Sequence, residues 1–163
     1  MDNYILAYLA GVVDSDGHIG IQRSTNALRN WQKMSPRYWE VITVNQTATE
    51  ATELFKETFG GLVYPRIFKS GRRKPMWAWT VTGKRASNAL HAMRPYLRIK
   101  GDQADIVFEF REHMDKRGLH RTNEPGNRAI HRLRPEVIVY RDGLHERLKN
   151  LHGISGGRKA KLI

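Results

Sequence analysis

Residues 4–22 contain, in direct succession, a short apolar segment, two acidic residues and a segment of alternating polarity. This order constrains the fold more than any other feature of the sequence. Residues 4–13 predict a short buried helix. This helix carries small residues three and four positions apart, namely Ala7, Ala10 and Gly11. Small residues at this spacing allow another backbone to approach closely. The stretch Asp14-Ser15-Asp16-Gly17 is expected to end the helix, and residues 18–22 alternate as a half-buried strand does.

The rest of the chain predicts three more strands and four more helices. The strands are expected at 38–46, 62–68 and 76–82, and the helices from about 48, from about 84, from about 102 to 114 and from 135 to 152. Thr47 and Glu50 have capping-box spacing at the start of the second helix. The polar stretches 24–37 and 116–134 predict loops.

This order of elements predicts an α+β fold with a four-stranded antiparallel sheet backed by helices. One face of such a sheet often stays in water. We expect a single domain in which residues 1–115 form the core. Residues 116–163 would be a basic extension whose helix, at about 135–152, packs on that core. After residue 110 the chain has 13 Lys and Arg against six acidic residues, compared with 15 and 10 before it.

The whole chain of 163 residues has a formal net charge of +12 and no Cys. The absence of Cys excludes a disulfide framework, a thiolate zinc site and a Cys nucleophile. A basic chain favours a polyanionic partner, but net charge alone does not choose between DNA, RNA and an anionic membrane. No secretion signal and no apolar run of the roughly 20 residues that span a bilayer is present. We therefore expect no membrane partner and an intracellular protein, in a bacterial, archaeal, phage or organellar compartment that the sequence leaves open.

The open face of the predicted sheet would be polar and edged by basic residues. Its candidate positions are His18, Gly20, Gln22, Ser24, Asn26, Trp39, Val41, Thr43, Asn45, Tyr64, Arg66, Phe68, Met76, Ala78 and Thr80. Asn and Gln suit adenine edges, Arg suits guanine, and small apolar groups suit the thymine methyl group. Phosphate contacts would come from the loops, through Lys33, Arg37, Lys69, Arg72, Arg73 and Lys74. The alternative is an ordinary solvated sheet face.

The most specific motif is Leu9-Ala10-Gly11-Val12-Val13-Asp14-Ser15-Asp16-Gly17. It resembles the signature of the LAGLIDADG homing endonucleases. Leu, Ala, Gly, both Asp and the final Gly match the family consensus, and two Val are conservative replacements. The resemblance covers roughly residues 4–114, and it implies that family's αββαββα order with a saddle-shaped sheet. The chain beyond about residue 115 lies outside the resemblance.

One copy of the motif implies a homodimer, because family members with two copies act as monomers. The resemblance places two motif helices against each other through Tyr8, Leu9, Gly11, Val12 and Asp14. Asp16 matches the family's metal-binding catalytic acid, with the backbone carbonyl of Ser15 as a further ligand, whereas Asp14 has a structural role at the helix end. Hard oxygen ligands suit Mg²⁺, and Mn²⁺ is expected to substitute for it. The alternative is that both acids merely end a helix.

The resemblance assigns two further catalytic positions. Gln46, at the end of the second strand, is similar to the family's polar residue that positions solvent near the scissile phosphate. Lys100, in Pro95-Tyr96-Leu97-Arg98-Ile99-Lys100, resembles the basic residue of the family's Pro-x-Leu-x-x-Lys stretch. A strand-end Gln and a phosphate-facing or solvated Lys are the alternatives. The chain departs from the family in having no Lys or Arg at 47–55, where related single-motif enzymes usually have one.

The resemblance therefore implies a homing endonuclease, typically intron-encoded. Such a homodimer makes a metal-dependent, site-specific double-strand break in a long pseudo-palindromic DNA target, leaving 3′ overhangs. A second hypothesis is a non-cleaving protein of the same fold, an intron maturase or a regulator, which would bind DNA or RNA. The basic segment 116–163 would suit RNA, and the missing basic residue at 47–55 weakens the enzyme hypothesis. A basic ribosomal or chromosomal protein is a third alternative, which the motif disfavours.

Overall fold

A computed structural model describes residues 2–24, 28–29, 32–33, 35–67, 74–116 and 133–155. The helices of this described part are α1 (Asn3–Asp16), α2 (Thr49–Phe59), α3 (Lys84–Met93), α4 (Gly101–Asp115) and α5 (Pro135–Ser155), with a 3₁₀ turn at Arg94–Tyr96. The strands are β1 (Gly17–Arg23), β2 (Leu28–Arg29), β3 (Gln32–Lys33), β4 (Tyr38–Gln46), β5 (Leu62–Arg66) and β6 (Met76–Thr82). None of these helices has the length and apolar character that crossing a bilayer requires.

Four strands form one antiparallel sheet in the order β1-β4-β6-β5, and β2 and β3 form a separate two-stranded ladder. The predicted αββαββα arrangement with a four-stranded antiparallel sheet is thus confirmed. Alternation along each strand separates a buried face, which packs under the helices, from an open face. The buried face carries Ile19, Ile21, Ile42, Val44, Trp79 and Val81, which belong to the hydrophobic core.

The structure differs from the sequence predictions at several element ends. Helix α1 continues through Asp14 to Asp16, because these carboxylates bond to groups outside the helix instead of competing for its backbone. The predicted capping box does not form: the N-cap of α2 is Ala48, without a side-chain hydrogen bond, one residue after Thr47. Residues 24–37 are not a plain loop, since they contain the β2–β3 ladder.

The carboxylate of Glu40 lies on the buried face of β4 and pairs with Arg111 of α4. Glu40 has no exposed surface, and its two oxygens accept hydrogen bonds from Nε and Nη2 of Arg111 at 2.5 and 2.6 Å. Two parallel bonds of this kind are the strong form of a charge pair, and a buried carboxylate needs such a partner. The pair therefore fixes α4 against the centre of the sheet.

Helix α5 lies along β1, the edge strand of the sheet. Its Leu144 and Leu148 belong to the core. Its Asp142 accepts hydrogen bonds from Arg23 Nε and from the Tyr38 hydroxyl, both at 2.7 Å. Near its end, the His152 ring lies 2.8 Å from the Ile19 carbonyl oxygen. Because an edge strand exposes unpaired backbone groups, α5 both covers that edge and satisfies one of its carbonyls.

Candidate active site and nucleic-acid interface

Asp16 and Gln46 come together where α1 ends and β4 ends. Strand β1 starts directly after Asp16, and its antiparallel pairing sets Gly17 opposite Val44, so the end of β4 lies beside the end of the helix. Gln46 Nε2 donates to Asp16 Oδ2 at 2.8 Å. The Asp16 carboxylate is exposed to solvent. The structure thus places two residues that the sequence singled out in direct contact, although 30 positions separate them along the chain.

Asp14 does not share this exposed position. Its carboxylate accepts three backbone N–H groups from the segment that follows the 3₁₀ turn: Arg98 at 2.7 Å, Ile99 at 3.2 Å and Lys100 at 2.9 Å. Three such donors commit both oxygens of the carboxylate to the chain's own backbone. Asp14 therefore ties the end of α1 to residues 98–100.

Lys100 bonds to the same junction between α1 and β1. Its ammonium donates to the carbonyl oxygens of Val13 and Gly17, each at 2.7 Å. The residue is 9% exposed. Burial lowers the pKa of Lys100 below the ordinary value of a lysine, and the nearby negative charges of Asp14 and Asp16 oppose that shift. The alternative of a solvated lysine is therefore wrong, because the ammonium is bonded inside the protein.

The residues around Asp16 fit one half of a magnesium site. An exposed carboxylate is a hard oxygen ligand of the kind that Mg²⁺ prefers, and the Ser15 carbonyl lies next to it in the chain. Asp14 and the Gly17 carbonyl already have partners within the chain. Within the described ranges, no three His, Asp or Glu side chains come close enough to hold a metal ion. At this junction the described residues therefore offer one exposed carboxylate, and a metal ion held there needs further ligands from outside them.

The open face of the sheet carries a set of linked polar side chains. The Thr43 and Thr80 hydroxyls are 3.2 Å apart, and the Tyr64 hydroxyl is 3.4 Å from that of Thr80. Arg66 Nη1 donates to the Asn45 side-chain oxygen at 3.0 Å. The candidate positions with exposed or partly exposed side chains are His18, Gln22, Ser24, Arg37, Trp39, Thr43, Asn45, Tyr64, Arg66, Lys74, Met76 and Thr80.

Three of the positions predicted on the open face are buried in the single chain, contrary to their expected exposure. Ala78 has no exposed surface, Val41 is buried, and so is Gly20. Val41 is the cross-strand partner of Gly20, and its side chain lies against that glycine. At Gly20 the His18 ring lies where a Cβ would be. Short residues on this face therefore lie between longer side chains and contribute little exposed surface themselves.

Some predicted contacts fall outside the described residues, namely Asn26, Phe68, Lys69, Arg72 and Arg73. Lys33 belongs to β3, but its side chain is outside the described set as well. Sequence reasoning missed Leu62, which lies on the open face in register with Thr80 and is 71% exposed. The pattern that could have found it is its even spacing from Tyr64 and Arg66 along β5.

His18 is partly screened by α5. Its ring lies 4.6 Å, centre to centre, from the ring of His152. Burial lowers the pKa of His18 below its usual value, and the nearby His152 and Lys100 lower it further. The imidazole of His18 therefore faces the open side as a predominantly neutral group at pH 7.

The outer face of α1 remains uncovered by the described residues. Tyr4 is 86% and Tyr8 53% exposed, and both Gly11 and Ser15 lie on the same face at helical spacing. A Cβ added at Gly11 would meet nothing within 4 Å. The prediction that Leu9 contacts a partner is wrong, because its side chain has no exposed surface and belongs to the core. The same burial removes Ala10 from the helix–helix contact that its small size predicts.

No protein-family model and no curated protein matches the chain. Among solved structures, it is similar to the homing endonuclease I-CvuI in complex with its target in the presence of calcium, at 23% identity and a TM-score of 0.64, over 90% of this chain and 80% of that one. Another I-CvuI complex, in the presence of magnesium, contains uncleaved DNA.

Two further structures extend this likeness. The archaeal intron-encoded homing endonuclease I-Vdi141I complexed with DNA is 14% identical, with a TM-score of 0.65, over 93% of this chain and 86% of that one. The LAGLIDADG homing endonuclease I-GzeII in complex with a DNA target is 14% identical, with a TM-score of 0.52, over 68% of this chain and 36% of that one. The family resemblance of the Leu9–Gly17 motif is therefore confirmed for the architecture. The chain has the fold of the LAGLIDADG homing endonucleases.

Proposed function

We propose that this protein is a LAGLIDADG homing endonuclease that acts as a homodimer and makes a metal-dependent double-strand break in a long pseudo-palindromic DNA site, leaving 3′ overhangs. The observation that carries the proposal is the exposed Asp16 carboxylate, held by Gln46, at the point where the uncovered face of α1 meets the polar open face of the sheet. The similar proteins I-CvuI and I-Vdi141I are homing endonucleases. The structure of I-CvuI is a complex with its target, and that of I-Vdi141I is a complex with DNA.

The homodimer is supported by α1, which is apolar on two sides. Leu6 and Val13 point into the core, whereas Tyr4 and Tyr8 point outward into solvent. A helix that is apolar all round is normally buried on all sides. Two copies joined through this outer face would bring one Asp16 from each chain together, which supplies the second acid that a single chain lacks.

Within such a dimer each residue has a defined task. The two Asp16 carboxylates, with the Ser15 carbonyls, would hold Mg²⁺ or Mn²⁺, which supplies an activated water and stabilises the leaving 3′ oxygen. Gln46 orients the Asp16 carboxylate through its amide nitrogen, and its side-chain carbonyl oxygen would bind a water near the scissile phosphate. Exposed open-face side chains such as Arg66 and Gln22 would contact base edges, and Arg37 and Lys74 would contact phosphates.

A second candidate function is a non-cleaving DNA-binding or RNA-binding protein of the same fold, an intron maturase or a regulator. The structural observation that favours it is that the Lys100 ammonium is bonded to the chain's own carbonyls. The absence of Lys and Arg at 47–55 points the same way. Both candidates share the dimer and the open face, and they differ in whether Asp16 supports hydrolysis.

Cleavage by the wild type, and its loss in Asp16→Asn, would distinguish the endonuclease from the non-cleaving protein. A library of DNA duplexes with randomised palindromic sites is incubated with the protein in Mg²⁺ or Mn²⁺, and new ends are sequenced, with Ca²⁺ as the comparison ion. We expect wild type to cut a small set of sites, and Asp16→Asn to lose cleavage while it still binds those sites in Ca²⁺. The loss follows because an amide is a much poorer ligand for a hard cation than a carboxylate.

The matched control is Glu57→Gln, an exposed carboxylate on α2 away from Asp16. It should cut as wild type does. Sequence-specific binding without cleavage by the wild type would establish the non-cleaving candidate, and unchanged cleavage by Asp16→Asn would overturn the assignment of Asp16.

A further inference from the structure

The Asp14 side chain bonds to the backbone around Lys100, and the Lys100 side chain bonds to the backbone around Asp14. The Asp14 carboxylate accepts the N–H groups of residues 98–100, and the Lys100 ammonium donates to the carbonyls of Val13 and Gly17. Five hydrogen bonds therefore join two segments that lie more than 80 positions apart in the chain. We call this arrangement the Asp14–Lys100 clasp.

The clasp forms hydrogen bonds with the chain on both sides of Asp16. Val13 and Asp14 precede Ser15 and Asp16, and Gly17 follows them directly. A single ammonium holds the carbonyls at both ends of this segment, each at 2.7 Å. The backbone that carries the Asp16 carboxylate is therefore fixed at both ends to residues 98–100.

The charge of Lys100 suits this position. The last carbonyls of a helix lack partners within it and carry partial negative charge, which a cation stabilises. An ammonium has three donors, and two of them are used here on carbonyls. The Val13 carbonyl oxygen also accepts the Gly17 N–H. Loss of the ammonium would therefore remove one hydrogen bond from the Val13 carbonyl and one from the Gly17 carbonyl in a largely buried place, which is unfavourable.

We propose that Lys100 is a positioning residue, which acts together with Asp14 through the backbone to hold Asp16 at the metal, rather than a catalytic residue that touches the scissile phosphate. The metal part of this proposal rests on the proposed function, whereas the clasp itself is a property of the single chain. Its consequence is that Lys100 controls how well Asp16 binds a divalent cation.

The test compares Lys100→Met, which keeps the length of the side chain, with Asp14→Asn and with the double variant. The matched control is Lys84→Met, at an exposed residue of α3. Hydrogen exchange of the 98–100 amides and the Tm are measured without DNA or metal. We expect Lys100→Met to lower the Tm by about 5 °C or more and to speed exchange at 98–100. The double variant should lose less than the sum of the single variants, because the two residues form one unit.

The metal readouts separate positioning from catalysis. We expect Lys100→Met to weaken Ca²⁺ binding by about tenfold or more in titration calorimetry with bound target DNA, as happens when residues behind a metal ligand are removed. Cleavage by the variant should then be restored at raised Mg²⁺, with kcat close to wild type. Unchanged Ca²⁺ binding with a kcat that Mg²⁺ does not restore would overturn the proposal and make Lys100 catalytic.

The outcomes also separate this proposal from the proposed function. Additive effects of the two single variants on the Tm, or unchanged exchange at 98–100, would overturn the clasp even in a protein that cuts DNA. A wild type that never cuts DNA would overturn the endonuclease. In that case coupled Tm effects together with weakened Ca²⁺ binding would still support the clasp.

Discussion

At the scale of single residues, the site depends on what each carboxylate is bonded to. Asp14 and Asp16 are two positions apart, yet Asp14 is committed to backbone N–H groups and Asp16 keeps an exposed carboxylate. Gln46 makes the side-chain bond to Asp16, and a neutral amide donor orients the carboxylate without neutralising its charge. The charge that a cation needs is therefore preserved.

Gln46→Ala is expected to slow cleavage by about tenfold to a hundredfold, because residues that orient a metal ligand contribute on this scale. Binding of target DNA in Ca²⁺ should stay within about twofold, since the open-face residues that would read bases are unchanged. The measurement is single-turnover cleavage at saturating Mg²⁺, with Asn88→Ala, at an exposed residue of α3, as the control. A cleavage rate equal to wild type would remove Gln46 from the active site.

At the scale of elements, the sheet is organised by alternation and by a few long-range charged contacts. Alternating apolar residues in β1, β4 and β6 predict the buried face, and those strands form as expected. Nothing in the sequence indicates that Glu40 is buried, because a charged residue in an alternating strand does not reveal a partner elsewhere in the chain. Its partner Arg111 lies 71 positions later, and only the packing of α4 on the sheet brings the two together.

The attachment of α5 to β1 is expected to depend on acid pH. Burial raises the pKa of Asp142, but the hydrogen bonds from Tyr38 and Arg23 lower it more, so the folded pKa lies below the usual value. A carboxyl with a lowered folded pKa stabilises the fold above its unfolded pKa of about 3.9, and this contribution is lost as the pH falls through the folded value.

The difference in Tm between wild type and Asp142→Asn should therefore be constant above about pH 5 and shrink below about pH 4. The measurement is a series of thermal melts followed by circular dichroism, with Glu146→Gln, an exposed carboxylate on the same helix, as the control. A difference that persists unchanged at pH 3 would show that Asp142 contributes through its shape and not through its charge.

At the scale of the whole molecule, glycine at position 11 has no explanation within one chain. It lies in the middle of α1, is exposed, and has φ in the ordinary helical range. Glycine in a helix interior costs about 1 kcal/mol relative to Ala. A residue that costs stability and fills no space in its own chain fits a contact with a second copy of the helix.

Gly11→Leu and Gly143→Leu form a matched pair, because both glycines are exposed within helices and a Cβ at either meets nothing within 4 Å. Both should raise the monomer's free energy of unfolding in urea by about 0.5–1 kcal/mol. Gly11→Leu alone should weaken dimerisation by about tenfold or more in sedimentation equilibrium, since an overpacked contact costs about 1–3 kcal/mol. Equal weakening by both variants, or a monomeric wild type, would contradict the proposed interface.

The sequence by itself determined the order of elements, the buried and open faces of the sheet, and the family resemblance, because these depend on local periodicity and on one nonamer. It also singled out Asp16 and Gln46 as candidate site residues, and the structure adds the hydrogen bond between them. Local patterns are readable along the chain because side chains alternate or repeat with fixed geometry.

Only the tertiary structure decided which side chains reach a surface and what each charge bonds to. Leu9 belongs to the core, Ala78 has no exposed surface, and the Lys100 ammonium donates to the Val13 carbonyl of α1. These outcomes depend on contacts between residues far apart in the chain, for which local spacing contains no information. The physical reason is that a buried charge or an uncovered helix face is stable only with a partner. The fold determines which residues are close enough to be that partner.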